Sequence, residues 1–227
     1  MDRIAVVGAS LAGLRALETL RAEGFAGELI AIGDEPHLPY DRPPLSKQFL
    51  KGEWDEERIA LRKQGTDDLD VRWTLGRRAT ALEAAGPAVV LEDGSRVDAD
   101  AVLIATGTVA RRLPFGQELG GIHVLRSLED ATRLRADLEP QPRVVVVGAG
   151  FIGMEVAATC RERGLEVSVV EPLATPLVRG LGETLGRYVA DRYRAEGVEL
   201  HLGVGVERFE GDDRVRGVRL GNGKTLP

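Results

Sequence analysis

Apolar residues along the chain fall in short unbroken runs, each followed by a glycine or an acid. Residues 4–8, Glu28–Ile32, Ala101–Ile104, 143–148, 166–170 and 198–201 are of this kind. Such runs, lacking alternation, read as strands buried on both faces, as in a parallel sheet. Between them the apolar spacing changes to that of helices. Leu14, Leu17 and Leu20 mark a helix over 12–23 that Gly24 stops, and residues 151–163 and 182–196 read alike, with Gly164 and Gly197 as their stops. From Arg77 to Val97 apolar and polar positions alternate around turns at Ala85-Gly86-Pro87 and Asp93-Gly94-Ser95, which predicts a small antiparallel meander. Val204–Phe209 and Arg214–Leu220 form a further predicted hairpin.

Strand, helix and strand therefore occur twice. The fold expected is α/β, with two Rossmann-like three-layer dinucleotide-binding units and the meander in the first. The first unit is expected over 1–115, a connection over 116–139, and the second unit over 140–227, with a hinge at Glu139-Pro-Gln-Pro142. Four prolines between Asp34 and Lys47 forbid a regular helix until about Leu45, so this stretch is expected to be a built surface. At Thr225-Leu-Pro227 the second unit still lacks a closing strand.

Both units open on a glycine loop of the same make. Ile4-Ala-Val-Val-Gly-Ala-Ser-Leu-Ala-Gly13 leads to an acid at Asp34-Glu35, and Val144-Val-Val-Val-Gly-Ala-Gly-Phe-Ile-Gly153 leads to Glu171. In such a unit a pyrophosphate lies on the helix N-terminus, where unpaired amides and the helix dipole favour negative charge. Gly148 makes the turn, Gly150 admits the phosphates, and Gly153 lets the helix close on the strand, with Phe151 and Ile152 between them. Glu171 can accept bonds from a ribose and repels a 2′-phosphate, which favours NADH over NADPH. The first loop carries Ser10 where the second has Gly150; a serine takes little room and can donate to a phosphate. Asp34 is the first choice for the ribose acid there, with Glu35 beside it. Two loops one domain apart suggest two nucleotides on one polypeptide, the layout of a flavoprotein that takes hydride from a nicotinamide.

Composition narrows the alternatives. A formal charge of −6 argues against bulk nucleic-acid binding, and 43% apolar with 29% charged residues argues for a folded chain. No apolar run approaches the roughly eighteen residues of a membrane span, so no membrane role is expected. One cysteine, Cys160, forms no internal disulfide and fits a reducing cytoplasm. It is expected to be a small buried side chain. His37, His123 and His201 lack metal-ligand spacing, and Trp54 and Trp73 read as core or lid residues.

Pro39-Tyr-Asp-Arg-Pro-Pro-Leu-Ser-Lys47, following the first strand–helix–strand, carries a more specific signal. Together with Gly8–Gly13, Ala105-Thr106-Gly107 and Leu125-Arg-Ser-Leu-Glu-Asp-Ala131, it resembles the FAD-dependent NADH:ferredoxin reductases that serve bacterial oxygenases. The resemblance covers essentially the whole chain, and some members carry the serine seen at position 10. It implies FAD contacts at Ala12, Asp34, Lys47, Ala79 and Arg126, with Arg42 beside the cofactor. It implies a lysine, Lys47, near flavin N5 and paired with Glu155, and NADH held at Gly150, Ile152, Glu171 and Arg179.

Physical chemistry agrees on Lys47: reduced flavin is readily anionic, and a cation beside it stabilises the product of hydride transfer. Disulfide reductases of the wider superfamily place a redox cysteine pair beside the flavin, which one cysteine cannot supply. Electrons are therefore expected to leave for an external carrier, which the resemblance implies is an iron–sulfur ferredoxin. Rubredoxin, a quinone or a small metabolite is the alternative acceptor, and a non-catalytic nucleotide-binding fragment is the alternative class. Family members continue well past residue 227, with a second flavin motif ending Gly-Asp and an interface domain. Nothing after Gly153 resembles that motif, so a C-terminally truncated reductase is expected.

Overall fold

A computed structural model describes residues 1–62 and 69–227. The chain forms two compact units, one of residues 1–42 and 55–109, the other of residues 43–54 and 110–227.

In the first unit β1 (Arg3–Val7) leads through the glycine loop to α1 (Leu11–Ala22) and β2 (Glu28–Ile32). The first strand ends one residue before the expected Gly8, because Gly8 turns the backbone at φ +122. Its helix starts one residue early, since the Ser10 carbonyl already accepts from Leu14 at 2.8 Å. The excursion Pro43–Trp54 belongs to the other unit and holds a 3₁₀ turn at Pro43–Ser46 and the short α2 (Gln48–Lys51). After α3 (Glu56–Ile59) come β3 (Val71–Thr74), the meander β4 (Ala79–Glu83), β5 (Ala88–Leu91) and β6 (Arg96–Asp98), and then β7 (Ala101–Ile104). The parallel sheet has the order β3-β2-β1-β7.

Alternate residues of its strands feed opposite layers. Ile4, Val6, Leu29 and Ala31 pack with Leu14 and Leu17 of α1, whereas Ala5, Val7, Ile30 and Ile32 pack with Val89 and Leu91 of the meander. Trp73 lies half-buried against the first of these clusters, a core position.

The second unit repeats the plan. Its elements are α4 (Leu128–Leu138), β8 (Val144–Val147), α5 (Phe151–Glu162), β9 (Val167–Glu171), α6 (Val178–Ala195) and β10 (Glu199–Leu202), followed by β11 (Val206–Gly211), β12 (Val215–Leu220) and β13 (Thr225–Leu226). Parallel strands run in the order β10-β9-β8, and an antiparallel β11-β12-β13 sheet replaces the meander. Met154, Val156, Ala157 and Cys160 of α5 cover Val167 and Val169 on one face, while Val170 packs with Val218, Leu220 and Leu226 on the other. The structure is α/β, with two three-layer units of Rossmann type and the expected antiparallel meander. The sixth helix begins four residues before the expected 182 and breaks at Gly182 (φ 74, ψ 174), the point where the sequence pattern takes hold.

Candidate functional site

The two glycine loops share two features: the strand bond of the first glycine and the close approach at the third. Gly8 N–H donates to Ile32 and Gly148 N–H to Val170, each at 2.8 Å, tying each loop to the end of the neighbouring strand. A Cβ added at Gly13 would lie 1.9 Å from the Gly8 carbonyl oxygen, and one at Gly153 2.1 Å from that of Gly148. Both third glycines thus permit the close helix–strand approach that the motif requires. The loops differ at the middle position. Gly150 caps α5 with ordinary backbone angles (φ −79, ψ −179), and an added Cβ there would have nothing within 4 Å. That is the open cradle a phosphate needs.

The first unit gathers Gly8, Ser10, Ala12 and Gly13 with Asp34 and Glu35 at the end of β2. Glu35 is already committed: its carboxylate accepts the Tyr40 hydroxyl and, at 2.5 Å, the Arg42 guanidinium. Arg42 also stacks 5.1 Å over the Tyr40 ring and reaches the Ser10 hydroxyl at 3.4 Å. A cation is therefore held at the mouth of the loop, where a pyrophosphate can pair with it. Asp34 is exposed, so its carboxylate is the one open to a ribose. Ala105 backs the loop, its carbonyl 2.1 Å from where a Gly8 Cβ would stand, and Thr106 and Gly107 follow exposed. Ala79 opens β4, half-buried on the meander side of the sheet. Lys47 and Arg126, the other residues read as flavin contacts, belong to the second compact unit.

In the second unit a cleft of about 1470 Å³ opens on the loop Gly148–Gly153 and is also lined by Glu171, Leu173 and Arg179. Glu171 is aimed by its backbone partners: Oε2 accepts Ala149 N–H at 2.8 Å and Oε1 accepts Leu173 N–H at 2.9 Å. Phe151 and Ile152 are 57% and 52% exposed, apolar surface placed beside the cradle. Arg179 is exposed in the first turn of α6. On the same cleft His123 Nε2 lies 2.7 Å from Asp137, which also pairs with Arg214 at 2.8 Å.

Lys47 and Glu155, one on the proline-rich segment and the other on α5, meet within this unit with Nζ 2.8 Å from Oε2. Burial pushes the Glu155 carboxyl upward, but hydrogen bonds from Lys47 and Ser46 and the Lys47 charge outweigh it and leave the pKa below the ordinary value. Ser46 and Thr159 escaped the sequence reading. Ser46 Oγ donates to Glu155 at 2.5 Å, and Thr159 Oγ1 donates to the Ser46 carbonyl at 2.8 Å. The available signal was adjacency: Ser46 precedes Lys47, and Thr159 lies one turn beyond Glu155. Cys160 is fully buried and free, and burial pushes its thiol up to about 11. It is a small buried side chain, as expected.

Two strand–glycine loop–helix units on one chain, each with an acid at the end of the second strand, define a dinucleotide-binding architecture. Residues 2–227 match the pyridine nucleotide-disulphide oxidoreductase family, and the chain belongs to it. Among its relatives, the ferredoxin reductase component of chlorobenzene dioxygenase from Cupriavidus sp. (strain PS12) is 39% identical over 98% of this chain and 55% of its own. The biphenyl dioxygenase system ferredoxin–NAD(+) reductase component of Paraburkholderia xenovorans (strain LB400) is 39% identical over 100% of this chain and 56% of its own. The reductase of a covalent putidaredoxin reductase–putidaredoxin complex superimposes with a TM-score of 0.94 at 32% identity, over 100% of this chain and 56% of that one. The chain thus spans about half the length of the curated relatives it matches. Its resemblance to the reductases of bacterial oxygenase systems holds from end to end.

Proposed function

We propose that this chain carries the nucleotide-binding half of a cytoplasmic flavoprotein that moves electrons from NADH through FAD to an iron–sulfur ferredoxin serving an oxygenase. FAD, when bound, takes two electrons as hydride and gives them up singly. The first unit supplies the guanidinium of Arg42, held by Glu35, and the exposed carboxylate of Asp34 to the flavin nucleotide, along with the loop Gly8–Gly13. The second supplies Gly150 for the pyrophosphate and Glu171 for the ribose of NADH. Arg126 and Arg179 add positive charge for the two nucleotides.

One observation carries the reading: the Lys47 ammonium is held at 2.8 Å by a carboxylate that is itself kept ionised on α5. A lysine so oriented serves as a fixed positive charge, and a fixed charge favours the anionic, reduced state of a neighbouring ring. The reading requires no acid–base pair. No helix among the described residues is long and apolar enough to cross a membrane. These residues hold no cysteine pair of the kind that gives the wider family its name; their one cysteine is buried.

The purified chain tests this directly. With FAD added, its oxidised-flavin absorption should bleach when NADH is introduced without oxygen. A colourless protein that takes up neither flavin nor NADH would sink the proposal.

A further inference from the structure

Helix α5 and its C-cap residue Arg163 grip the segment that bears Lys47 at four points. Lys47 pairs with Glu155 at 2.8 Å, and the Ser46 carbonyl accepts Thr159 at 2.8 Å. One turn on, Lys51 pairs with Glu162 and the Leu50 carbonyl accepts Arg163 at 2.8 Å. Glu155, Thr159, Glu162 and Arg163 share one face of the helix by their spacing.

The first point is built differently from the others. Glu155 Oε2 receives the Lys47 ammonium and, at 2.5 Å, the Ser46 hydroxyl. The Ser46 hydroxyl also lies 3.3 Å from the Pro43 carbonyl. Having one proton, it serves the nearer, charged acceptor. Ser46 and Thr159 are almost fully buried, at 4% and 2% exposure. Lys47 and Glu155 keep 36% and 37% of their side-chain surface. An ion pair that wet contributes little by itself, and an ammonium on a four-carbon stem accepts many geometries. Coulomb attraction alone therefore does not fix Nζ. The oriented carboxylate does, and the buried hydroxyls orient it.

We propose that Ser46 and Thr159 are positioning residues that set where the Lys47 ammonium is held. Ser46 fixes the carboxylate oxygen, Thr159 fixes the Ser46 backbone, and both ends of this ring come from one turn of α5. The functional weight of the device rests on the reading of Lys47 as the flavin-side cation.

The test is the titration of Glu155 in the 227-residue chain, followed by carboxyl ¹³C NMR and assigned with Glu155→Gln. Ser46→Ala should raise the Glu155 pKa by about one pH unit, the usual worth of a hydrogen bond to an ionised group. Thr159→Val should raise it less, and Thr159→Ser should restore it. A Glu155 titration unchanged in both Ser46→Ala and Thr159→Val overturns the proposal. Should Ser46→Ala fail to fold, the Thr159→Val and Thr159→Ser pair decides alone, because packing loss without reorientation leaves the titration where it was. A separate measurement isolates the underlying reading. If Lys47→Met leaves the potential of bound flavin unchanged, the flavin-side role falls, whatever Glu155 does.

Discussion

Gly150→Ala and Gly153→Ala place the same methyl three residues apart and should fail in opposite ways. At Gly153 the added Cβ would lie 2.1 Å from the backbone oxygen of Gly148 and 3.3 Å from Val146 Cγ1. Neither the loop carbonyl nor the start of α5 can yield cheaply, because Gly148 is bonded to Val170 and Met154 N–H to Gly150 at 2.9 Å. Forced overpacking of this kind costs about 3 kcal/mol. For a chain of this size that lowers Tm by about 6–12 °C. At Gly150 nothing lies within 4 Å of the added atom and φ is −79. Alanine is a poorer helix cap than glycine, but it restricts the unfolded chain by about 0.4–1 kcal/mol, and the two effects nearly cancel. Tm should stay within about 2 °C.

Binding should reverse the order of the two variants. The Gly150 methyl fills the space in which a pyrophosphate approaches the backbone, so NADH affinity should fall at least about tenfold, or ~1.4 kcal/mol. Calorimetric titration with NADH and differential scanning calorimetry on both variants supply the two numbers. Gly13→Ala, with its 1.9 Å clash in the first unit, is the control that should destabilise that unit and leave NADH affinity alone. If Gly150→Ala binds NADH within twofold of the parent, the phosphates do not lie on this loop and the nucleotide reading of the second unit is wrong.

Four further outcomes are expected. Lys47→Met should lower the potential of bound flavin by about 30 mV, equivalent to ~1.4 kcal/mol for two electrons, with NADH affinity nearly unchanged; dye equilibration reads the first and calorimetry the second. Glu171→Ala should remove most of the preference for NADH over NADPH and also cost stability, since it strips partners from the Ala149 and Leu173 amides; competitive titration of the two nucleotides checks it. Cys160, with its thiol pushed to about 11, should resist a thiol reagent at pH 8 and react fully in denaturant. Asp137, Glu155 and Glu199 all have pKa values below the ordinary carboxylate range. A carboxylate depressed in the folded state stabilises fully above its unfolded pKa and loses that contribution as pH falls through its folded one. Tm should therefore hold from pH 7 to about 5 and drop below about 4, with Glu155→Gln showing the shallower fall; a Tm flat down to pH 3 would contradict it.

Most of the parallel framework was legible because buried strands and glycine loops leave local marks. Glu28–Ile32 and Ala101–Ile104 lie where the apolar runs place them. What was missed depends on partners remote in sequence. The edge strand β3 carries Arg72 and Thr74 among its four residues and is a strand only because it pairs with β2. The fourth helix is an exception, since it begins at a local capping box, Ser127 with Asp130, a signal that the Ser-Leu-Glu-Asp motif itself carries. Glu35 stands as a close second to Asp34 in the sequence, and only the fold brings Tyr40 and Arg42 back onto it.

The proline-rich segment shows most clearly where a one-dimensional reading ends. Its prolines announce stiffness, and the resemblance assigns Lys47 to a flavin, yet nothing local says which compact unit residues 43–54 join. That is decided by side chains more than a hundred residues later. Thr159 and Arg163 take two of its carbonyls, and Glu155 and Glu162 take its two lysines. Arg135 of α4 stacks 4.7 Å over the Phe49 ring. Phe49 and Leu50 are buried, so the segment is anchored by apolar contact as well as by polar bonds. Prolines lower the entropy lost when such a segment is pinned, which explains why a stretch without regular secondary structure can hold a charge in place. The lysine whose role the sequence suggests is thus held by hydroxyls and carboxylates that only the folded second unit brings to it.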